Sequence, residues 1–182
     1  FVSVADDVNS VFMNPAGLGL TTGWQATSMY TSLFEGELNY VVLGGANQFS
    51  FGKMGLGMIS TGTGQLISPS PSGASYFDYY DRLFIVSYAK SDPILIGNSR
   101  LLAGLNLKFF QKGFSGSENN SGRGIDMDLG LVMAMENGTT VGITAQNILP
   151  TSIVWDTGAS DSIPAVIKLG ASRRFMQEKF LL

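Results

Sequence analysis

The chain has 182 residues, 23 of them Gly, with no Cys, no His, a net charge of −3 and only 14% charged residues. Lack of thiols and imidazoles excludes disulfides, thiol nucleophiles, imidazole general bases and the commonest zinc ligands, and the sparse negative charge speaks against a nucleic-acid partner. Mean hydropathy is +0.19, yet no stretch approaches the roughly 18 apolar residues of a spanning helix. Two classes remain: an all-β core in water, or a β-barrel that shows its apolar face to lipid.

The chain opens on Phe1, with no charged n-region or apolar h-region, and reads as a processed or trimmed N-terminus. Residues 1–22 read as one N-terminal segment, built around "VADDVNSVFMNPAGLGL" at 4–20, and residues 23–182 as strands. Asn14 before Pro15 is a turn or helix-start signal, because Asn caps free N–H groups and Pro suits the first helical position. Gly17 and Gly19 are expected to break any helix that follows. Asp6 and Asp7 are a thin signal for calcium.

From there on, period-2 alternation replaces helical periodicity. "WQATSMYTSL" and "LNYVVLGGA" read as strands whose facing the sequence does not assign. "KMGLGMIST" sets Met54, Leu56 and Met58 against Gly55 and Gly57, and "DRLFIVSYAK" alternates less cleanly. In "RLLAGLNLKFF", Leu101, Ala103, Leu105, Leu107 and Phe109 face away from Gly104, Asn106 and Lys108. "GIDMDLGLVMAM" is the clearest case: Ile125, Met127, Leu129, Leu131, Met133 and Met135 oppose Gly124, Asp126, Asp128, Gly130, Val132 and Ala134. "TVGITAQNIL" is noisier, and "AVIKLGASRRF" sets Ala165, Ile167, Leu169 and Ala171 against Lys168, Gly170, Ser172 and Arg174. The closing "KFLL" looks like a further strand beginning. About eight strands of roughly nine to twelve residues result, longer than usual in globular sheets and close to a tilted membrane-crossing strand.

This placement leaves long loops at 62–81, 113–123 and 150–164, and short turns near 47–52, 91–99 and 136–138. Long connections on one side and short ones on the other are the asymmetry of outer-membrane barrels, and would put the N-terminus on the periplasmic side. The short link at 34–37 departs from the rule. A soluble β-sandwich alternates as well. Low charge, Gly on the polar faces and Met on the apolar ones favour the barrel, with Trp24, Tyr30, Tyr40, Phe84, Tyr88 and Phe175 as candidate interfacial aromatics.

Asp126 and Asp128 form a D-x-D pair of the kind that holds a cation through oxygen. The preferred reading is a polar lumen in which they pair with Lys108, Lys168 or Arg174 on neighbouring strands, with no metal and no cofactor. The Ser/Pro segment at 62–81 ends in an aromatic cluster, Tyr76, Phe77, Tyr79 and Tyr80, read either as a loop meeting the membrane interface or as a platform for a partner. Asn119 and Asn137 begin glycosylation-type triplets that serve equally well as turns. "IVWDTGAS" at 153–160 resembles the catalytic turn of aspartic proteases, which needs a second Asp turn to share a proton. The chain has no second Asp-Thr/Ser-Gly, bulky Trp155 precedes Asp156, and only 26 residues follow it. The segment reads as a loop and the chain as no enzyme.

The N-terminal segment, with Asn14, Pro15, Ala16, Gly17 and Leu18 after an acidic and small-residue run, resembles the signature of FadL-type outer-membrane proteins and their PorV/PorQ relatives. "LLAGLNLKFF", "GIDMDLGLV", "VGITAQNI" and "IPAVIKLGASRRF" are similar to the PorV pattern and follow in the expected order. The resemblance implies an antiparallel transmembrane β-barrel of about fourteen strands, with Asn14–Leu18 in a hatch folded into the lumen. This chain would supply the N-terminal portion. It further implies a bacterial outer membrane and a bilayer as partner. Two roles compete: a channel for hydrophobic small molecules, and a docking component for secreted or surface proteins. A soluble β-sandwich binding module stands as the third alternative.

Overall fold

The structure is a computed structural model that describes residues 2–64, 66–70, 73–116, 119–175 and 180–181. The side chains of Arg174 and Phe175, named above as lumen-facing and interfacial, lie outside the described residues. After a one-turn helix α1 (Ser10–Met13) and a 3-10 helix (Pro15–Leu20), the chain is β-structure, broken by a 3-10 turn at Phe34–Gly36. The strands are β1 (Gln25–Leu33), β2 (Leu38–Phe49), β3 (Gly52–Thr63), β4 (Leu66–Ser70), β5 (Gly73–Ala89), β6 (Ile94–Ile96), β7 (Ser99–Gly116), β8 (Asn120–Ala134), β9 (Thr139–Gln146), β10 (Ser152–Trp155), β11 (Ser160–Ser162), β12 (Val166–Phe175) and β13 (Phe180–Leu181). All pair antiparallel in one sheet of order β1-β2-β3-β5-β7-β8-β9-β12-β13, with β4, β6 and the β10–β11 hairpin attached at its borders. A single sheet, not two packed face to face, stands where the sandwich alternative needs a pair.

The fold is all-β and antiparallel as expected, but the sheet is not closed. Among the described residues β1 pairs with β2 alone, and nothing joins it to β12 or β13. The N-terminal segment supplies a physical reason. It runs across one face from Gly44 on β2, which meets the Phe12 ring, to Gly170 on β12, which meets Val2. That path crosses six strand spacings, roughly 29 Å at about 4.8 Å each. A cylinder of eight or so strands has room only for its own side chains, so a sheet that carries this segment must stay wider.

Three expected loops are largely strand. Within 62–81 the described residues are the end of β3, β4 and the start of β5, with Leu66–Ser70 pairing with Gly73–Phe77. At 113–123, β7 runs on to Gly116 and β8 starts at Asn120, and 150–164 holds the β10–β11 hairpin, docked on β8. Pro69 fits because β4 is an edge strand, where a missing N–H costs no ladder bond. The "ENG" turn at 136–138 forms as read: Gly138 has φ +78° and donates to the Met135 carbonyl at 3.2 Å. Gly17 and Gly19 do not break the N-terminal helix; they lie inside the 3-10 turn, whose last N–H bond is donated by Thr21 to Leu18 at 3.0 Å.

The two faces of the sheet are opposite in character. The face under the N-terminal segment is polar or glycine-rich and buried, with Ser87, Asn106, Asp126, Asp128 and Thr144 nearly inaccessible. The other face is apolar and bare: Leu56 is 62% exposed, Ile125 53% and Leu169 73%. The facing left open for β1 and β2 is settled by Thr27 and Gly44, which lie under Phe12. Tyr30 and Phe84 therefore lie on the bare face, whereas Tyr40 alternates onto the covered one.

The core is the contact between the segment and the sheet. Val8, Val11 and Leu18 pack on Ala46, Ile85 and Ala89, flanked by Phe12 and Leu83, while Ala16 packs on Leu102 and Val132. Full burial of Val11 and Leu18 contributes about 1.5–3 kcal/mol each. Backbone approaches backbone here: a Cβ on Gly104 would meet the Pro15 carbonyl, and one on Gly130 would meet Asn14 Oδ1. The glycines of the polar strand faces are the bed on which the segment lies.

Candidate functional site

The covered face carries a polar ladder. The register aligns Ser87 of β5, Asn106 of β7 and Asp128 of β8 in one row, with Ile85, Lys108 and Asp126 in the next. Lys108 Nζ lies 2.9 Å from Asp128 Oδ1, both side chains being almost fully buried. Asp128 Oδ1 also accepts from the Asn147 N–H at 3.0 Å, and Oδ2 accepts from Asn106 Nδ2 at 3.1 Å. Ser87 Oγ donates to Asn106 Oδ1 at 2.6 Å. Asn147, in a left-handed conformation at φ +55°, turns its Oδ1 back to accept from the Lys108 ammonium.

The ladder grips the segment directly. Asn106 Nδ2 donates to the Val11 carbonyl at 3.0 Å. From the other side, fully buried Asn14 donates through Nδ2 to the carbonyls of Val2 (2.8 Å), Leu131 (3.3 Å) and Ile143 (3.4 Å). Its Oδ1 accepts from the Ala16 N–H at 3.2 Å, which caps the 3-10 turn that begins at Pro15. Pro15, Ala16, Gly17 and Leu18 are all buried beneath it. Lys53, missed by the sequence reading, closes the far end: its ammonium donates to the Gly19 carbonyl at 2.8 Å and to that of Thr21.

Of the five candidate lumen residues, Lys108, Asp126 and Asp128 come together. Lys168 lies in the row of Gly130 and Thr144 but is exposed, away from the two aspartates. Asp126 Oδ1 accepts from the N–H groups of Met127 (2.7 Å) and Leu149 (3.1 Å), while its Oδ2 is buried without a hydrogen-bond partner. Among the described residues no group of three or more His, Cys, Asp or Glu gathers as a metal site.

The aromatic cluster divides between the two faces of β5. Phe77 and Tyr79 turn to Phe114 at centroid distances of 5.9 and 5.3 Å, and Phe114 stacks on Trp155 at 6.1 Å. Tyr80 points the other way, with the Arg82 guanidinium 4.9 Å over its ring, and Tyr76 is exposed. The Asp-Thr-Gly stretch is the turn of the β10–β11 hairpin. Asp156 accepts from the Ser121 N–H (3.0 Å) and O–H (2.7 Å), which hold its carboxyl below the ordinary value of 3.8. Trp155 Nε1 donates to Asp161 at 2.7 Å across the hairpin.

Comparison with protein-family models, curated proteins and solved structures finds no match.

This geometry can hold and position a segment. The groups missed by the sequence reading are Ser87, Lys53 and Asn147. Ser87 sits in a strand whose alternation is not clean, and Lys53 and Asn147 stand at strand ends, where alternation carries no signal. Asn106 was assigned to the right face but given no role.

Proposed function

We propose that this protein is a non-enzymatic outer-membrane β-barrel of the FadL/PorV kind that passes hydrophobic small molecules, with residues 1–22 as its hatch. One observation carries the reading: the sheet is polar and buried on the face that holds the N-terminal segment, and apolar and bare on the other. In water such a continuous apolar face is a liability; in a bilayer it is the expected exterior, with the polar face as lumen. Exposed aromatics support this at both strand ends: Trp24, Phe49 and Phe51 at one, Tyr30 and Phe34 at the other. An open edge cannot stand in hydrocarbon, so in this reading the free edges of β1 and β12 are paired in the membrane.

The test is cell fractionation of the full-length protein, followed by gel mobility with and without boiling in detergent. Outer-membrane location with a heat-dependent shift is expected, and uptake of an apolar dye should change in a Pro15→Ala variant. A soluble protein with no shift overturns the reading. The docking role is favoured by a different feature: the β4–β5 hairpin presents Ile67 and Tyr76 as an exposed cross-strand pair. Loss of surface-protein binding on their replacement by Ser, with dye uptake intact, would select that role.

A further inference from the structure

We propose that the bare face of the sheet carries a binding site for a phosphate-bearing lipid, where β5, β7 and β8 meet the β10–β11 hairpin. The inference rests on the membrane reading above. Two adjacent rows of the antiparallel register define the site. The upper row is Arg82, Gln111 and Arg123, and the lower is Phe84, Phe109 and Ile125. Strand alternation puts all six side chains on the bare face, each row directly over the other. A groove of about 700 Å³ opens here, lined by Phe84, Phe109, Gln111, Arg123 and Ile125, with Thr151 and Ser152 from the approach to β10 along its side.

The upper row suits a phosphate. Directly opposed residues on antiparallel strands have Cβ atoms about 5 Å apart, so two long arginines flank the Gln111 amide and can converge above it. Guanidinium matches phosphate oxygens bidentately and keeps its charge at any working pH. Neither arginine is ion-paired among the described residues. Arg82 rests over the Tyr80 ring, and the Asp156 carboxylate in the hairpin turn, though within electrostatic reach of Arg123, takes its hydrogen bonds from Ser121.

The lower row suits acyl chains. Phe84, Phe109 and Ile125 are half-exposed and continue along the strands into Val86, Leu107 and Met127. Charge over a long apolar floor, on the side of the elongated hairpins, matches an amphiphile whose phosphate lies at the headgroup level and whose tails run down the sheet. A soluble anion would use the upper row alone.

The experiment uses the full chain, folded in a zwitterionic detergent, with retained lipid read by native mass spectrometry. Dilauroyl phosphatidate and dilauroylglycerol serve as probes with the same tails, with and without phosphate. Wild type should retain phosphatidate in preference, and Arg82→Gln/Arg123→Gln should weaken retention about tenfold. Lys90→Gln, at the far end of β5, should leave it unchanged. Equal retention of the two lipids, equal retention by the double variant, or displacement by millimolar inorganic phosphate would each overturn the proposal. A wild type that shows the heat-dependent gel shift but no preference for phosphatidate fails this inference alone; a wild type without the shift fails the barrel reading itself.

Discussion

Lys108 and Asp128 are held in place by burial and by each other. Removing one partner of a buried pair strands a charge and costs about 3–5 kcal/mol, whereas replacing both by apolar groups of similar size is near neutral. Lys108→Met is therefore expected to lower stability by about that amount, and Lys108→Met/Asp128→Leu to recover much of it, as measured by urea titration of the folded gel band. Glycine matters in the same place for a different reason. A Cβ at position 130 meets Asn14 Oδ1, whereas one at position 64 meets nothing within 4 Å. Gly130→Ala should cost about 1–3 kcal/mol by overpacking, and Gly64→Ala should be close to neutral in the same titration. At this scale much of the site was legible. Asp126, Asp128, Asn106 and Lys108 announce a common face because strand alternation is strict. Which of them touch is set by register, and register is a relation between strands far apart in the chain: Lys108 found Asp128, and Lys168 did not.

Elements were less legible than their faces. Residues 66–80 are rich in Ser, Pro and Gly and read as loop, yet 66–70 form β4 and 73–80 the start of β5, because β5 pairs with β7 on one side and offers β4 ladder partners on the other. Strand propensity of this kind reflects the neighbours a segment meets more than its own composition. The β10–β11 hairpin shows the same override, since its turn is fixed to β8 by Asp156 and Ser121. That contact has a pH signature. The folded Asp156 carboxyl titrates below 3.8, so its bond to Ser121 stabilises the hairpin above the unfolded value and is lost as pH falls through the folded one. Trp155 fluorescence should stay constant at neutral and mildly acidic pH and change only below about 3.8. Asp156→Asn should remove that step.

For the molecule as a whole, the proposed membrane role turns on which face would meet lipid. The chain has no Cys, so single cysteines report one position at a time. With a fluorophore at Leu131→Cys or Leu56→Cys, brominated lipid should quench strongly, because both positions lie on the bare face. A label at Thr144→Cys, fully buried on the covered face, should be quenched far less. Equal quenching at Thr144 would reverse the assignment of lumen and exterior. Alternation along the chain is enough to read β-strands with one polar and one apolar face, because it is a local property of an extended backbone and needs no knowledge of neighbours. That the polar face is the covered one, that residues 2–20 cover it along a bed of glycines, and that the sheet is not closed around them emerge from the folded arrangement. Those outcomes depend on contacts between segments more than a hundred residues apart, such as Asn14 with Leu131 and Ile143, and no local pattern encodes such a distance.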